Sequence, residues 1–425
     1  MKYPTIRLCP LILLPIAWSC SYSSTGYTPP TPAERIIQDI SFLADDAREG
    51  RGVGTEGLAT AAQYLVEQFA DAGLEPYDGS NFLRPFDIDP SAPALAHAGI
   101  SAMEVSNVVG IIPGAGDLAG ETVVVGAHYD HLGFGGFGSL DADSVNVVHN
   151  GADDNASGTA TMLEIARMLN GRQSNSRRTI VFIAFTAEEL GLIGSAEYVK
   201  DPAFPNDSTF FMLNLDMVGR MEENRLAVFG VESAEELPAL LDSFNIDHDI
   251  EMAGSGDGYG RSDHQSFYTV GIPVLHFFTG THEQYHRTTD DSHLINAEGA
   301  AKIASLGADM VSYFAERREP LTFIEAPPPQ MTTSGGYGAY LGTIPDMTES
   351  PDGVRLSGVR EGSPAEEAGI QSGDILIGLG DFDITNLFEM TDALRAYKPG
   401  DRVSIRVRRD GEVLELETVL GRRGG

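Results

Sequence analysis

The chain has 425 residues, 42% hydrophobic and 21% charged, with 48 glycines and 23 prolines but no short repeat. That length suggests two or three domains with a sizeable core, and the composition disfavours collagen-like, coiled-coil and disordered classes. Its 28 basic residues against 62 acidic ones leave a formal charge of -34, which argues against nucleic-acid binding and makes cations the more natural ligands. Both cysteines, Cys9 and Cys20, lie in the first twenty residues, so the remainder can supply no internal disulfide, thiolate nucleophile or thiolate metal ligand.

Lys2 and Arg7 precede an apolar run, Leu8 to Trp18, that is too short for a membrane-spanning helix of about 20 residues. Residues 1–20 therefore read as a secretory signal peptide. Ala17-Trp18-Ser19-Cys20 resembles a bacterial lipoprotein cleavage site, which implies a lipid anchor at Cys20, followed by a Ser/Thr/Pro/Gly tether over residues 21–32. The expected product is exported, whether periplasmic, anchored to the outer membrane or extracellular.

Residues 33–72 carry two amphipathic helices, with Ile36, Ile37, Ile40 and Leu43 on the first face and Ala61, Tyr64, Leu65 and Phe69 on the second. Short apolar, β-branched runs follow at 121–127, 179–185, 210–215, 226–230 and 274–278, separated by helical stretches at 159–169 and 188–198 and closed by a helix over 297–314. Alternating strands and helices predict an α/β three-layer sandwich with a mixed, mostly parallel central sheet over residues 33–318. Pro327-Pro328-Pro329 and the polar, Gly-containing stretch after them mark a linker over 319–336. Beyond it, residues 337–425 read as a small β-rich module with one helix near 387–397. Residues 331–425 hold 10 basic and 16 acidic residues, so most of the acidity belongs upstream.

Five segments place acids and histidines at predicted strand ends, where open α/β sheets gather ligands: HYDHLG from His128, NGADDNASG from Asn150, FTAEELGLIGS from Phe185, NLDMVGR from Asn214 and EQYHRTTDD from Glu283. Each alone could be a helix cap or a loop polar residue. Together they supply carboxylates and imidazoles without sulfur, the inventory of a catalytic zinc pair, and adjacent Glu188-Glu189 can divide metal binding from general-base work.

These five segments resemble, in order and in local context, the di-zinc exopeptidases that include bacterial leucyl aminopeptidases, aminopeptidase Y and glutamate carboxypeptidase. The resemblance implies two Zn2+ ions: His128 and Asp216 on one, Glu189 and His286 on the other, Asp154 bridging them, and Glu188 as the base. It also implies that Asp130 orients the His128 imidazole, that Tyr285 donates to the oxyanion, and that the Asp154–Asn155 peptide is cis. His131, His149, His276 and His282 are assigned structural or rim roles, and the Gly-rich insertion at 133–138 a rim or lid. Peptides with a free N-terminus are the expected substrates, because an acidic site attracts cationic amines. Carboxypeptidase or glutaminyl cyclase chemistry on this scaffold, or a non-catalytic binding protein, are the alternatives; Arg220 and Arg261 are the candidates for holding a substrate carboxylate.

The C-terminal module resembles the PDZ domains attached to bacterial proteases. Tyr340-Leu341-Gly342 matches the carboxylate-binding loop, and REGSPAEEAGIQSGDILIGLG matches the core. This implies a peptide C-terminus as its ligand. Thr343 stands where an apolar residue usually completes the loop.

Overall fold

The computed structural model describes Met1 and residues 29–88, 101–141, 146–327, 339–345, 353–360, 362–385, 387–409 and 411–422. Residues 2–20 of the expected signal peptide, Cys20 included, most of the tether and half of the linker lie outside the described residues.

Helix α1 (Pro32–Leu43) opens with a capping box in which Thr31 and Glu34 satisfy each other's backbone N–H groups, and α2 (Glu56–Asp71) is capped by Thr55. Nine strands follow in one sheet: β1 (Glu75–Pro76), β2 (Leu83–Ile88), β3 (Met103–Ile112), β4 (Thr122–His128), β5 (Thr179–Phe185), β6 (Thr209–Leu215), β7 (Arg225–Phe229), β8 (Glu251–Ser255) and β9 (Val274–Phe278). Interleaved with them are α3 (Gly158–Leu169), α4 (Ile193–Lys200), α5 (Leu237–His248) and α6 (His264–Tyr268), and α7 (Ala297–Glu316) closes the unit.

The strand order is β1-β3-β5-β4-β6-β9-β7-β8, with β2 on β3. Its centre, β5-β4-β6-β9, is parallel, while β3 and β7 join it antiparallel. The central strands are buried on both faces, which is why they read as unbroken apolar runs. On one face Val123, Val125, Phe182 and Leu213 pack with residues of α1, α2, α3 and α7. The alternate residues Val124, Val181, Ile183 and Met212 pack with Tyr198, Phe267 and Tyr268 of α4 and α6. This is the expected three-layer sandwich.

The C-terminal module has its own core, including Leu356, Leu376, Ile405 and Val407. Its sheet is antiparallel, with Thr343–Pro345, Val354–Val359, Ile375–Leu379, Arg402–Arg409 and Glu412–Val419 in that order. Gly342 takes a φ of 85°, and a Cβ there would meet the Ser363 side chain at 2.2 Å, so the Tyr340-Leu341-Gly342 turn requires its glycine. Among the described residues, no helix is long and apolar enough to cross a membrane.

Candidate metal centre

All five segments meet at the C-terminal ends of the parallel strands. His128 is the last residue of β4, Asp154 precedes α3, Glu188-Glu189 follow β5, Asp216 follows β6, and His286 lies in the loop after β9. His128 Nε2 is 3.4 Å from Asp154 Oδ1 and 3.4 Å from Asp216 Oδ1, with Glu188 Oε2 at 3.9 Å. On the other side of Asp154, its Oδ2 lies 3.1 Å from His286 Nε2, which is also 3.2 Å from Glu189 Oε2. One carboxylate therefore faces two imidazoles, one through each oxygen.

The two imidazoles have fixed orientations. His286 Nδ1 is 2.9 Å from the Gly138 carbonyl and His128 Nδ1 is 3.2 Å from the Asp130 carbonyl. A carbonyl only accepts, so each Nδ1 carries a proton and each Nε2 faces the carboxylates; burial alone would lower the two imidazoles, but those carboxylates outweigh it and hold both well above their ordinary value. The glycine-rich insertion thus acts as a strut for His286, which adopts φ 55°. Ala187, Leu192 and Met217 also have positive φ, so four non-glycine residues in this left-handed region surround the cluster, a concentration of local strain typical of functional sites.

Asp154 rather than Asp153 points into the cluster because Asp153 is otherwise engaged. Its carboxylate accepts from the Gly219 N–H at 2.7 Å and from the Ser157 hydroxyl at 2.9 Å, and lies 3.1 Å from His282 Nε2. The Asp154–Asn155 peptide is cis, as the resemblance implies. The Asn155 amide ties this loop to the end of β6, donating to the Leu215 carbonyl and accepting from the Met217 N–H. Gly151, at φ 56°, has no room for a Cβ, which would meet the Asp154 carbonyl at 2.1 Å and the His131 ring at 2.4 Å.

The Asp130 carboxylate is 3.7 Å from His128 Nδ1, and its hydrogen bonds go elsewhere: it accepts the backbone N–H groups of Glu188 and Glu189 at 3.1 and 3.3 Å. These bonds hold 188–192 in a turn, and α4 begins only at Ile193, later than periodicity alone predicts. The Tyr285 ring stacks on His286 at 3.9 Å, and desolvation pushes its phenol above the ordinary value.

Three supporting residues escape sequence reasoning. Arg51, fully buried, donates to the carbonyls of Leu43, Tyr129, Asn150 and Gly151, joining the loops that carry His128 and Asp154. Burial lowers its guanidinium to about 10, so it stays charged at neutral pH. Asp290 accepts the N–H groups of both Asp153 and Asp154 and pairs with Arg220 at 3.0 Å. His131, expected in a structural or rim role, is buried with Nδ1 2.7 Å from Glu189 Oε1. Only its spacing, three residues after His128, signalled it.

The adjacent glutamates are driven apart electrostatically. Burial raises the Glu188 carboxyl well above its ordinary range against the pull of His128, with Glu189, Asp263 and Asp216 adding to the rise. Glu189 is buried too, but His286 and His131 outweigh that and bring it down to about 2. The environment thus pushes two adjacent carboxyls in opposite directions.

The donor set fits metal. His128, Glu188 and Asp216 place ligand atoms within 4.8 Å of one another, as do His131, Asp154 and Glu189. Asp216 Oδ1 and His131 Nε2 are buried without hydrogen-bond partners among the described residues. Carboxylate oxygens with imidazole nitrogens, and no sulfur, suit zinc in an open catalytic site. A cavity of about 320 Å³ lies over the cluster.

Residues 107–311 match the sequence profile of peptidase family M28, and residues 339–420 match that of the PDZ domain. Similar proteins include aminopeptidase YwaD of Bacillus subtilis, 31% identical over 227 residues that make up 50% of this chain and 45% of the relative. Leucine aminopeptidase 1 of Uncinocarpus reesii is 29% identical over 49% of this chain and 55% of its own. The chain thus spans about half the length of the curated relatives it matches. Among solved structures, the fold is shared with a zinc aminopeptidase from Bacillus subtilis, with a TM-score of 0.55, 21% identity, and coverage of 68% of this chain and 96% of that one. A Zn-dependent exopeptidase from Parabacteroides distasonis gives a TM-score of 0.54 at 19% identity, covering 67% and 99%.

Proposed function

We propose that the chain is an exported, zinc-dependent aminopeptidase that releases N-terminal residues from peptides. The observation that carries this reading is Asp154, whose two oxygens face His128 Nε2 and His286 Nε2 between two sets of acidic ligands. The aminopeptidase names of the relatives and the M28 profile support it. Two Zn2+ ions would supply a nucleophilic water at neutral pH and polarise the scissile carbonyl.

In this reading His128 and Asp216 would hold one ion, Glu189 and His286 the other, with Asp154 between them. His131, with its Nδ1 proton toward Glu189 Oε1, keeps that carboxylate aimed. Glu188 takes the proton of the attacking water and returns it to the leaving amine. Burial raises its carboxyl above the ordinary range and the charge of His128 opposes that rise, so the group can both accept and return the proton. Tyr285, kept protonated, donates to the developing oxyanion. The surrounding carboxylates receive the substrate's ammonium group. The PDZ module offers a second peptide site at Tyr340, Leu341 and Gly342. Lipidation at Cys20 would tether the enzyme to a membrane, and the intact mass of the mature N-terminus tests that.

Purified protein should release N-terminal residues from unblocked peptides and leave N-acetylated ones intact. Chelator should abolish release, and Glu188→Gln should lower kcat by about 10²–10⁴-fold while zinc content is unchanged. Cleavage of blocked peptides, or release from the C-terminus, would overturn the assignment.

A further inference from the structure

The catalytic cavity is lined by the acids Asp154, Glu188, Glu189 and Asp216, by His286 of the cluster and, among the described residues, by one arginine, Arg261. This arginine stands on a fixed turn. Ser262 and Asp263 immediately after it are buried, and the Ser262 hydroxyl accepts from the Asn214 amide at 2.8 Å. The Gln265 side chain accepts the Gly260 N–H at 3.2 Å, while the Gln265 N–H returns to the Ser262 carbonyl at 3.0 Å. Gly260 itself is pressed against His264, where a Cβ would meet Nε2 at 2.3 Å. The backbone at Arg261 is thereby anchored to the core, and the exposed side chain extends from it at the cavity.

In the aminopeptidase reading the substrate's ammonium group would be received at the metal centre, among these carboxylates. A guanidinium in the same cavity serves the opposite charge, and its planar fork matches a carboxylate in two parallel hydrogen bonds. At about 320 Å³ the cavity lies near the lower end of ligand-pocket sizes, so only a residue or two of a peptide fills it. Two kinds of carboxylate then fall within reach: the C-terminus of a very short peptide, or an acidic side chain beside the scissile bond. We propose that Arg261 is a specificity-determining residue that pairs with a carboxylate of the bound peptide, which directs the enzyme toward short or acidic peptides. This rests on the aminopeptidase reading of the same site.

The test compares matched substrates that differ only in that charge: Leu-Ala against its amide, Leu-Glu-amide against Leu-Gln-amide, and Glu-Ala-amide against Gln-Ala-amide. Ratios of kcat/KM within each pair are measured for the wild type, Arg261→Gln and Arg261→Lys. The affinity of the same peptides for zinc-loaded Glu188→Gln, with and without Arg261→Gln, is measured by calorimetry. The wild type should favour the carboxylate member of at least one pair by about ten- to a hundredfold. That ratio should collapse toward one in Arg261→Gln and be partly kept in Arg261→Lys. A preference in the first pair identifies the C-terminus as the partner, and one in the others identifies the side chain. If Arg261 only offsets the cavity's negative charge, Arg261→Gln changes both members of each pair alike, and the proposal is overturned. Should the wild type release no N-terminal residue while calorimetry still shows an Arg261-dependent preference, the aminopeptidase reading falls and the carboxylate site stands.

Discussion

Arg51 illustrates how much of this site is held by a residue that never enters it. Its guanidinium satisfies four main-chain carbonyls from three separate segments, at 2.7 to 2.8 Å, with no exposure to water. Methionine at this position would fill similar volume but leave buried carbonyls unpaired, at about 1–3 kcal/mol each before water enters. Arg51→Met should therefore lower the urea-unfolding free energy of the α/β sandwich by at least about 3 kcal/mol, read by circular dichroism. A change under 1 kcal/mol would show that water replaces the guanidinium without cost. Nothing in Arg-Glu-Gly-Arg-Gly predicts this role, because the carbonyls it serves lie up to a hundred residues away. Asp154 and Glu188, in contrast, were legible, since each sits in a local pattern whose chemistry is carried by its immediate neighbours.

Among the elements, the buried parallel strands were read nearly to the residue because burial on both faces leaves no polar positions to blur them. Strands β2, β3 and β8 were not recognised: they lie toward the sheet edges, and partial exposure mixes polar residues into their pattern. In the C-terminal module the strand Arg402–Arg409 is tied to the turn before Ile375–Leu379 by a bidentate pair, Arg409 Nε and Nη2 on the two Asp374 oxygens at 2.7 Å. Burial by itself would raise the Asp374 carboxyl, but Arg409 and the Gln371 N–H outweigh it and hold the carboxyl below its ordinary value. A depressed folded-state value means stabilisation that is present in full above the unfolded value, about 3.9, and is lost as pH falls through the folded one. Protection factors for amide hydrogen exchange in strand 402–409 should thus drop as the pH is taken below about 4. Asp374→Asn should lower them at pH 7 by about tenfold or more and remove the acid dependence due to this pair.

Across the whole molecule the charge of -34 is concentrated upstream of the C-terminal module, and part of it converges on one cluster of mutually repelling carboxylates. A cation bound there stabilises the fold by mass action, about 2.7 kcal/mol when its free concentration is a hundred times the dissociation constant. Removing zinc by dialysis against chelator should lower the thermal midpoint of the peptidase domain by about 5 °C or more, and zinc but not calcium should restore it. An unchanged midpoint would mean that the cluster binds no cation tightly in the folded state.

The amino-acid sequence by itself determined the α/β sandwich, the separate PDZ module and the roster of acids and imidazoles. Each of these depends on hydrophobic periodicity or on residue types clustered at a strand end, which are properties of short windows. Only the tertiary structure decided which oxygen faces which nitrogen, that Asp130 pins a backbone turn, that His131 belongs to the cluster, and that Arg261 lines the cavity. Those facts depend on where segments 50 to 150 residues apart come to rest against one another, and no local pattern encodes that distance.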